Sequence, residues 1–83
     1  MTQVARSPKQ MGNLIQRARR QKGLTQTELA GISGLRQELI SKIEGGHDGT
    51  KLSSIYILFA ALDLDLLVDS RSHGAAVQIE DIF

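Results

Sequence analysis

Apolar side chains recur at helical spacing along most of this chain, and each run is bracketed by residues that start and stop helices. Met11, Leu14, Ile15 and Ala18 stand at i, i+3, i+4 and i+7, one inward-facing stripe. Ahead of them lies Ser7-Pro8-Lys9-Gln10. Ser7 can cap the amide of Gln10, Gln10 can reach back, and Pro8 sits where its missing donor costs nothing. The helix should end near Gln21 to Gly23, where Gly23 can take a positive φ. Thr25-Gln26-Thr27-Glu28 is a second capping box, predicting a short helix with Leu29, Ala30 and Ile32 inward that stops before Gly34. A third helix is predicted from about Arg36 to Glu44, with Ile40 and Ile43 inward and Gly45-Gly46 as its end. Gly46 or Gly49 then allows the turns of GGHDGT. Thr50 and Ser53 repeat the capping pattern for a fourth helix, Leu52 to about Leu62.

The fourth helix differs from the others. Leu52, Ile55, Leu58, Phe59 and Leu62 form the expected stripe, yet Tyr56, Ile57, Ala60 and Ala61 fill the remaining faces. A helix apolar all round must be covered all round. In 83 residues the cover is expected to be a second copy of the chain. Leu64, Leu66 and Val68 then alternate with Asp65, Leu67 and Asp69 at the period of a strand, with no second strand in the chain to pair with it. Pairing with its symmetry mate in a two-stranded ribbon would satisfy its backbone groups. A short fifth helix or plain coil is the alternative. The dimer surface is accordingly placed at Tyr56, Ile57, Ala60, Leu64, Leu66, Leu67 and Val68. After Arg71 the small, polar SRSHGAA reads as a flexible linker, and the closing VQIEDIF carries Val77, Ile79, Ile82 and Phe83. Those apolar residues are either a frayed end or a linear motif entering a partner's pocket. The organisation expected is an N-terminal arm over 1–6, a helical, dimerising domain over 7–69 and a flexible tail over 70–83.

Size and composition support this frame. A chain of 83 residues buries only about 60–65% of its unfolded surface, so a partner subunit is expected on stability grounds alone. Without cysteine there is neither a disulfide nor a thiolate metal site, and the longest apolar run, Ile55 to Leu62, is eight residues, far short of a membrane span. The start MTQVARSPKQ has no apolar signal core, which points to a cytoplasmic protein. The net charge of +1 conceals a division. Residues 1–51 hold nine Lys and Arg against four Asp and Glu, whereas residues 52–83 hold Arg71 alone against five carboxylates. A basic half suits a polyanion, and the acidic half a different partner.

Two short helices joined by a turn containing Gly, the second amphipathic and flanked by basic residues, form a helix-turn-helix pattern. With Ile40 at zero and steps of about 100°, Gln37, Ser41, Glu38 and Lys42 fall near 60°, 100°, 160° and 200°, opposite the packing side. That side is free to enter a major groove. Gln can bond adenine, Lys guanine or a phosphate, and Glu the amino group of cytosine. Thr25 and Gln26 open the preceding helix, whose free amides favour a phosphate. Arg36, Arg17, Lys22 and Lys51 are further phosphate candidates.

The segment LTQTELAGISGLRQELISKIEGG, Leu24 to Gly46, resembles the Cro/repressor-type helix-turn-helix family at Leu24, Thr25, Gln26, Glu28, Leu29, Ala30, Ser33, Gly34, Ile40, Ser41, Glu44 and Gly46. Together with SPKQ, the turn before Thr50, the apolar fourth helix and LDLLVDS, about residues 5–70 resemble HipB-type antitoxins. The resemblance implies an all-α, lambda-repressor-like domain of four to five helices, with a short C-terminal β-strand pairing across a dimer. It also implies a repressor that binds palindromic operator DNA and neutralises a HipA-like serine/threonine kinase toxin. Phosphate contacts would fall to Gln26 and Arg36, and base-side contacts to Gln37, Glu38, Ser41 and Lys42. Glu38 departs from the pattern, which has a small or neutral polar residue there, and a carboxylate facing DNA costs affinity unless a cytosine or Lys42 meets it. Ile32 and Leu39 also replace residues that are often polar, and read either as exposed spots for a protein partner or as an enlarged core. Gly31 inside the second helix costs about 0.5–1 kcal/mol relative to Ala with no evident compensation.

No enzymatic constellation or cofactor motif is evident. His47 and His73 lie in separate linkers, His47-Asp48 reads as a solvated turn, and no calcium loop surrounds Asp63, Asp65 and Asp69. A stand-alone phage-type repressor with no toxin partner, or a protein-interaction adaptor with a vestigial reading helix, are the alternative functions. The tail residues Ile79, Ile82 and Phe83 are the candidates for toxin contact.

Overall fold

In the computed structural model, described over residues 2–71, the chain folds into α1 (Pro8–Gln21), α2 (Gln26–Ser33), α3 (Gln37–Glu44) and α4 (Leu52–Ala61). Ser7 caps α1, its hydroxyl accepting from the Gln10 amide at 3.1 Å, while the Gln10 side chain reaches one residue further back to accept from the Arg6 amide. Both halves of the Thr25/Glu28 capping box form on α2, at 2.8 and 3.0 Å. At the end of α1, Gly23 takes φ +71° so that its own amide and that of Leu24 turn back to the carbonyls of Arg20 and Arg19. This satisfies carbonyls that would otherwise lack partners.

Ile15, Ala18, Leu29, Ile40, Ile43, Ile55, Leu58, Phe59 and Leu62 form one core, with Met11, Leu14, Leu24, Ala30, Leu35, Leu39, Ala61 and Leu64 packed on its edge. Each helix contributes, with α3 packed against α1 and α2, and α2 against α4. The α1–α3 approach is close enough that Gly12 is required. A Cβ there would lie 2.3 Å from the Ile43 carbonyl oxygen and 2.7 Å from that of Glu44. The bare backbone of α1 thus seats the C-terminal end of α3 and fixes its direction.

Several expectations are corrected. Helix α3 begins at Gln37, one residue later than predicted, with Arg36 as its N-cap. Helix α4 has Lys51 as N-cap and no side-chain cap, because the Thr50 hydroxyl donates to the His47 carbonyl at 3.0 Å and tightens the preceding loop instead. Ile32 is 59% exposed and Leu52 57% exposed, so neither joins the core, whereas Leu39 does pack against it. Ile32 is the next-to-last residue of α2 and Leu52 the first of α4.

No strand forms among the described residues, and no fifth helix either, so within one chain the Leu64–Val68 segment is coil. Among the described residues a lone strand has nothing to pair with. The segment leaves α4 through a left-handed residue, Asp63 at φ 62°, with the Leu64 amide bonded to the Phe59 carbonyl at 2.8 Å and the Asp63 amide to that of Ala60 at 3.2 Å. This is the same helix ending as at Gly23, and it turns Leu64 back onto its own core. Leu64 is therefore partly used within the chain, which weakens its assignment to a dimer surface.

Candidate nucleic-acid interface

Helices α2 and α3 are joined by Gly34-Leu35-Arg36. Gly34 ends α2 at φ +78°, and the Ser33 hydroxyl accepts from the Leu35 amide at 3.2 Å. With Ile40 and Ile43 buried, α3 turns Glu38, Ser41 and Lys42 to solvent and leaves Gln37 half-buried. The N-cap Arg36 is also exposed. Four of the five residues expected to meet DNA from α3 and its cap thus lie open, and the fifth is held by a bond.

That bond belongs to a chain running out from the interior. Arg19, on α1, donates from Nε to Glu44 Oε2 at 2.7 Å and from Nη2 to Glu44 Oε1 at 3.0 Å, and its Nη1 donates to the Leu24 carbonyl at 2.7 Å. Both side chains are buried. Glu44 Oε1 also accepts from Gln26 Nε2 at 3.1 Å, and Gln26 Oε1 accepts from Gln37 Nε2 at 2.6 Å. A carboxylate can only accept, so Glu44 dictates which end of the Gln26 amide faces it. Gln26 must then present its oxygen to Gln37. What remains of Gln37 is one N–H and its carbonyl, a donor beside an acceptor.

Burial by itself would raise the Glu44 carboxyl, but the hydrogen bonds from Arg19 and Gln26, the Arg19 charge and a bond from Gln16 outweigh it and hold the group below its ordinary value. The hydrogen bond to Glu44, with its charge, raises Arg19 above its ordinary value against the opposing effect of burial. The site is therefore a charged pair at all moderate pH. Among the described residues, no buried side-chain polar atom lacks a partner.

At the start of α2, Thr25 and Glu28 are occupied with each other, and the Thr25 amide bond is the main cause holding the Glu28 carboxyl below its ordinary value. The amides of Gln26 and Thr27 have no carbonyl a turn earlier in the helix. Arg17 is exposed beside an open groove lined by Asn13, Gln16, Arg20 and Gln21, and its guanidinium meets Gln3 of the N-terminal arm at 3.4 Å. Lys22 and Lys51, at the ends of α1 and α4, are exposed.

A second surface is apolar. Tyr56, Ile57, Ala60, Leu66, Leu67 and Val68 are exposed, Leu67 at 71% and Val68 at 95%. Tyr56, Ala60 and Leu66 line a groove with Phe59, Asp63, Leu64 and Asp65. Ile79, Ile82 and Phe83 lie outside the described residues. Among the described residues, no group of three or more His, Cys, Asp or Glu could hold a metal ion, and no helix is long and apolar enough to cross a membrane.

In the sequence Arg19 is one of the nine cations of the basic half, and Glu44 stands at the end of the third helix and in the family match. A signal existed. Arg19 stands four residues after Ile15, and Glu44 four after Ile40, so each charge lies on a core-facing side of its helix. Opposite charges on two buried faces imply a pair.

Residues 15–68 match the Helix-turn-helix family. Over 67 residues the chain is 36% identical to antitoxin HipB of Escherichia coli K12, covering 80% of this chain and 76% of that one. Among solved structures, a HipB–O2 20mer complex superposes with a TM-score of 0.80 at 32% identity, covering 87% of this chain and 100% of that one. A HipA–HipB–O2–O3 complex gives 0.79 at 32% identity, covering 86% and 100%.

Proposed function

Since this chain belongs to the HipB-type antitoxin branch of the helix-turn-helix family, we propose that it is a sequence-specific DNA-binding repressor that acts as a dimer and holds a HipA-like serine/threonine kinase toxin inactive. The observation that carries the DNA-binding half is the outward side of α3. Its inner side is sealed by Ile40 and Ile43, and its first residue is oriented through Gln26 by a buried ion pair. Base contacts are assigned to Gln37, Glu38, Ser41 and Lys42. Phosphate contacts are assigned to Gln26, Arg36 and the free amides at the start of α2, with Thr25 shaping that start and Arg17, Lys22 and Lys51 at the flanks.

Dimerisation is supported by the exposed Tyr56, Ile57, Ala60, Leu66, Leu67 and Val68, a set that a monomer would leave in water. In the dimer, segments 64–68 pair as a two-stranded ribbon and two α3 helices address half-sites about 34 Å apart. The kinase half is supported by similarity to HipB in a HipA–HipB–O2–O3 complex, and the tail residues Ile79, Ile82 and Phe83 are assigned to that contact.

Gel shifts on a pseudo-palindromic operator test the first half. Affinity should fall steeply with salt as phosphate contacts release counterions, and Gln37→Ala with Lys42→Ala should reduce operator preference while leaving the dimer intact. Retained preference in that double variant would remove α3 from the reading role. Co-purification of the full chain beside one ending at Ser72 tests the second half. A kinase-sized partner lost only with the shorter chain places the contact on the tail, and no partner with either leaves a stand-alone repressor.

A further inference from the structure

Glu38 is exposed on the first turn of α3, and its carboxylate makes no hydrogen bond or ion pair among the described residues. The ammonium of Lys42, one helical turn further on, likewise has no side-chain partner among the described residues. Among the described residues no cation pairs with the carboxylate, so on DNA it would approach the groove as an acceptor in need of a donor. Lys42 stands only about 40° round the helix from Glu38, so the two address one patch of groove with opposite signs.

A carboxylate only accepts hydrogen bonds, which makes it selective by exclusion. On the major-groove side guanine offers acceptors at N7 and O6, and thymine an acceptor and a methyl group. Only cytosine N4 and adenine N6 present N–H donors. Adenine's donor is flanked by the N7 acceptor, which repels a second carboxylate oxygen, whereas cytosine has no acceptor beside N4. The cytosine partner, guanine, turns its two acceptors to the same groove, where an ammonium fits. An opposite-charge pair one turn apart thus complements a C·G base pair, with Glu38 on cytosine N4 and Lys42 on guanine O6 or N7.

Gln37 defines the neighbouring pair. Its amide is fixed by Gln26 with one N–H and the carbonyl left over, and adenine is the base whose N7 and N6 complement that combination. Consecutive side chains on a helix diverge by about 100°, so Gln37 and Glu38 meet adjacent pairs rather than one.

We infer that Glu38, acting with Lys42, restricts each operator half-site to a C·G pair directly beside the A·T pair read by Gln37. The inference rests on the DNA-binding reading above. Away from such a site the carboxylate faces acceptors and phosphates, so it lowers affinity for unrelated DNA and widens the gap between operator and background.

The test is selection of bound duplexes from a randomised library by the full chain and by Glu38→Ala and Glu38→Gln, with sequencing of what is retained. The wild type should recover a two-fold motif with adjacent A·T and C·G pairs in each half. Glu38→Ala should keep the motif except at the C·G position, where discrimination of about tenfold or more collapses, and should bind unrelated duplexes more tightly at low salt. Glu38→Gln should shift that position toward adenine. If Glu38→Ala recovers the same base everywhere, the inference is overturned while DNA recognition stands. If the wild type recovers no motif, DNA recognition fails and this inference with it.

Discussion

Arg19 and Glu44 grip each other through two parallel hydrogen bonds of 2.7 and 3.0 Å, each standing four residues beyond a fully buried isoleucine, Ile15 and Ile40. The pair ties α1 to the C-terminal end of α3, and through the Leu24 carbonyl to the turn that leads into α2. It is both a clamp on the fold and the inner end of the chain of bonds that orients Gln37.

Removing one partner leaves the other charge buried and unpaired, at a cost of about 3–5 kcal/mol. Arg19→Ala should therefore lose most of the stability of a domain this small, read as the midpoint of urea unfolding. Glu44 adds a pH signature. Its carboxyl is held below the ordinary value of 4.5, so its contribution is fully present above that value and is lost as the pH falls through the depressed one. Wild-type stability should decline in acid with a component that Glu44→Gln lacks. Parallel acid profiles for the two would show that the pair does not couple folding to protonation.

Gln26 should affect base reading without touching a base. In Gln26→Ala the Gln37 amide loses the acceptor that fixes its orientation, and its donor and acceptor can exchange places. Discrimination at the Gln37 base pair should fall several-fold, by about 1 kcal/mol. Competition gel shifts with single-base operator variants would read this. An even loss across all positions would instead make Gln26 a phosphate contact only.

Two glycines in helices should respond with opposite sign. Gly12→Ala forces a Cβ into the carbonyls of Ile43 and Glu44, costing about 1–3 kcal/mol. Gly31→Ala meets nothing within 4 Å and should stabilise α2 by about 0.5–1 kcal/mol. Thermal melts of the two variants settle it, and a destabilised Gly31→Ala would mean that this face of α2 is covered by something other than water.

The dimer should depend on the segment after α4. Leu66→Pro removes a backbone donor that ribbon pairing requires, and Ile57→Glu puts a charge on the exposed apolar side of α4. Each should weaken self-association tenfold or more, about 1.4 kcal/mol, in sedimentation, with helix content retained. A monodisperse Leu66→Pro dimer would rule out pairing through the ribbon.

Four helices are legible in the residues alone, because capping residues and apolar spacing are local. Ser7-Pro8, the Thr25/Glu28 box and Gly23 act on the turn that contains them, and Ile40 with Ile43 settles which side of α3 packs. The end of α2 and the start of α4 were less legible, since the fate of Ile32, Leu52 and Thr50 depends on how many core sites the other helices leave and on where the His47 carbonyl lies. That Gly12 seats α3, that Leu64 folds back onto Phe59, and that Arg19, Glu44, Gln26 and Gln37 form one line of hydrogen bonds follows from how the helices pack on one another. Those four residues come from three helices and span positions 19 to 44. Periodicity can put each charge on an inner face, but partner and distance follow from the crossing of helices far apart in the chain.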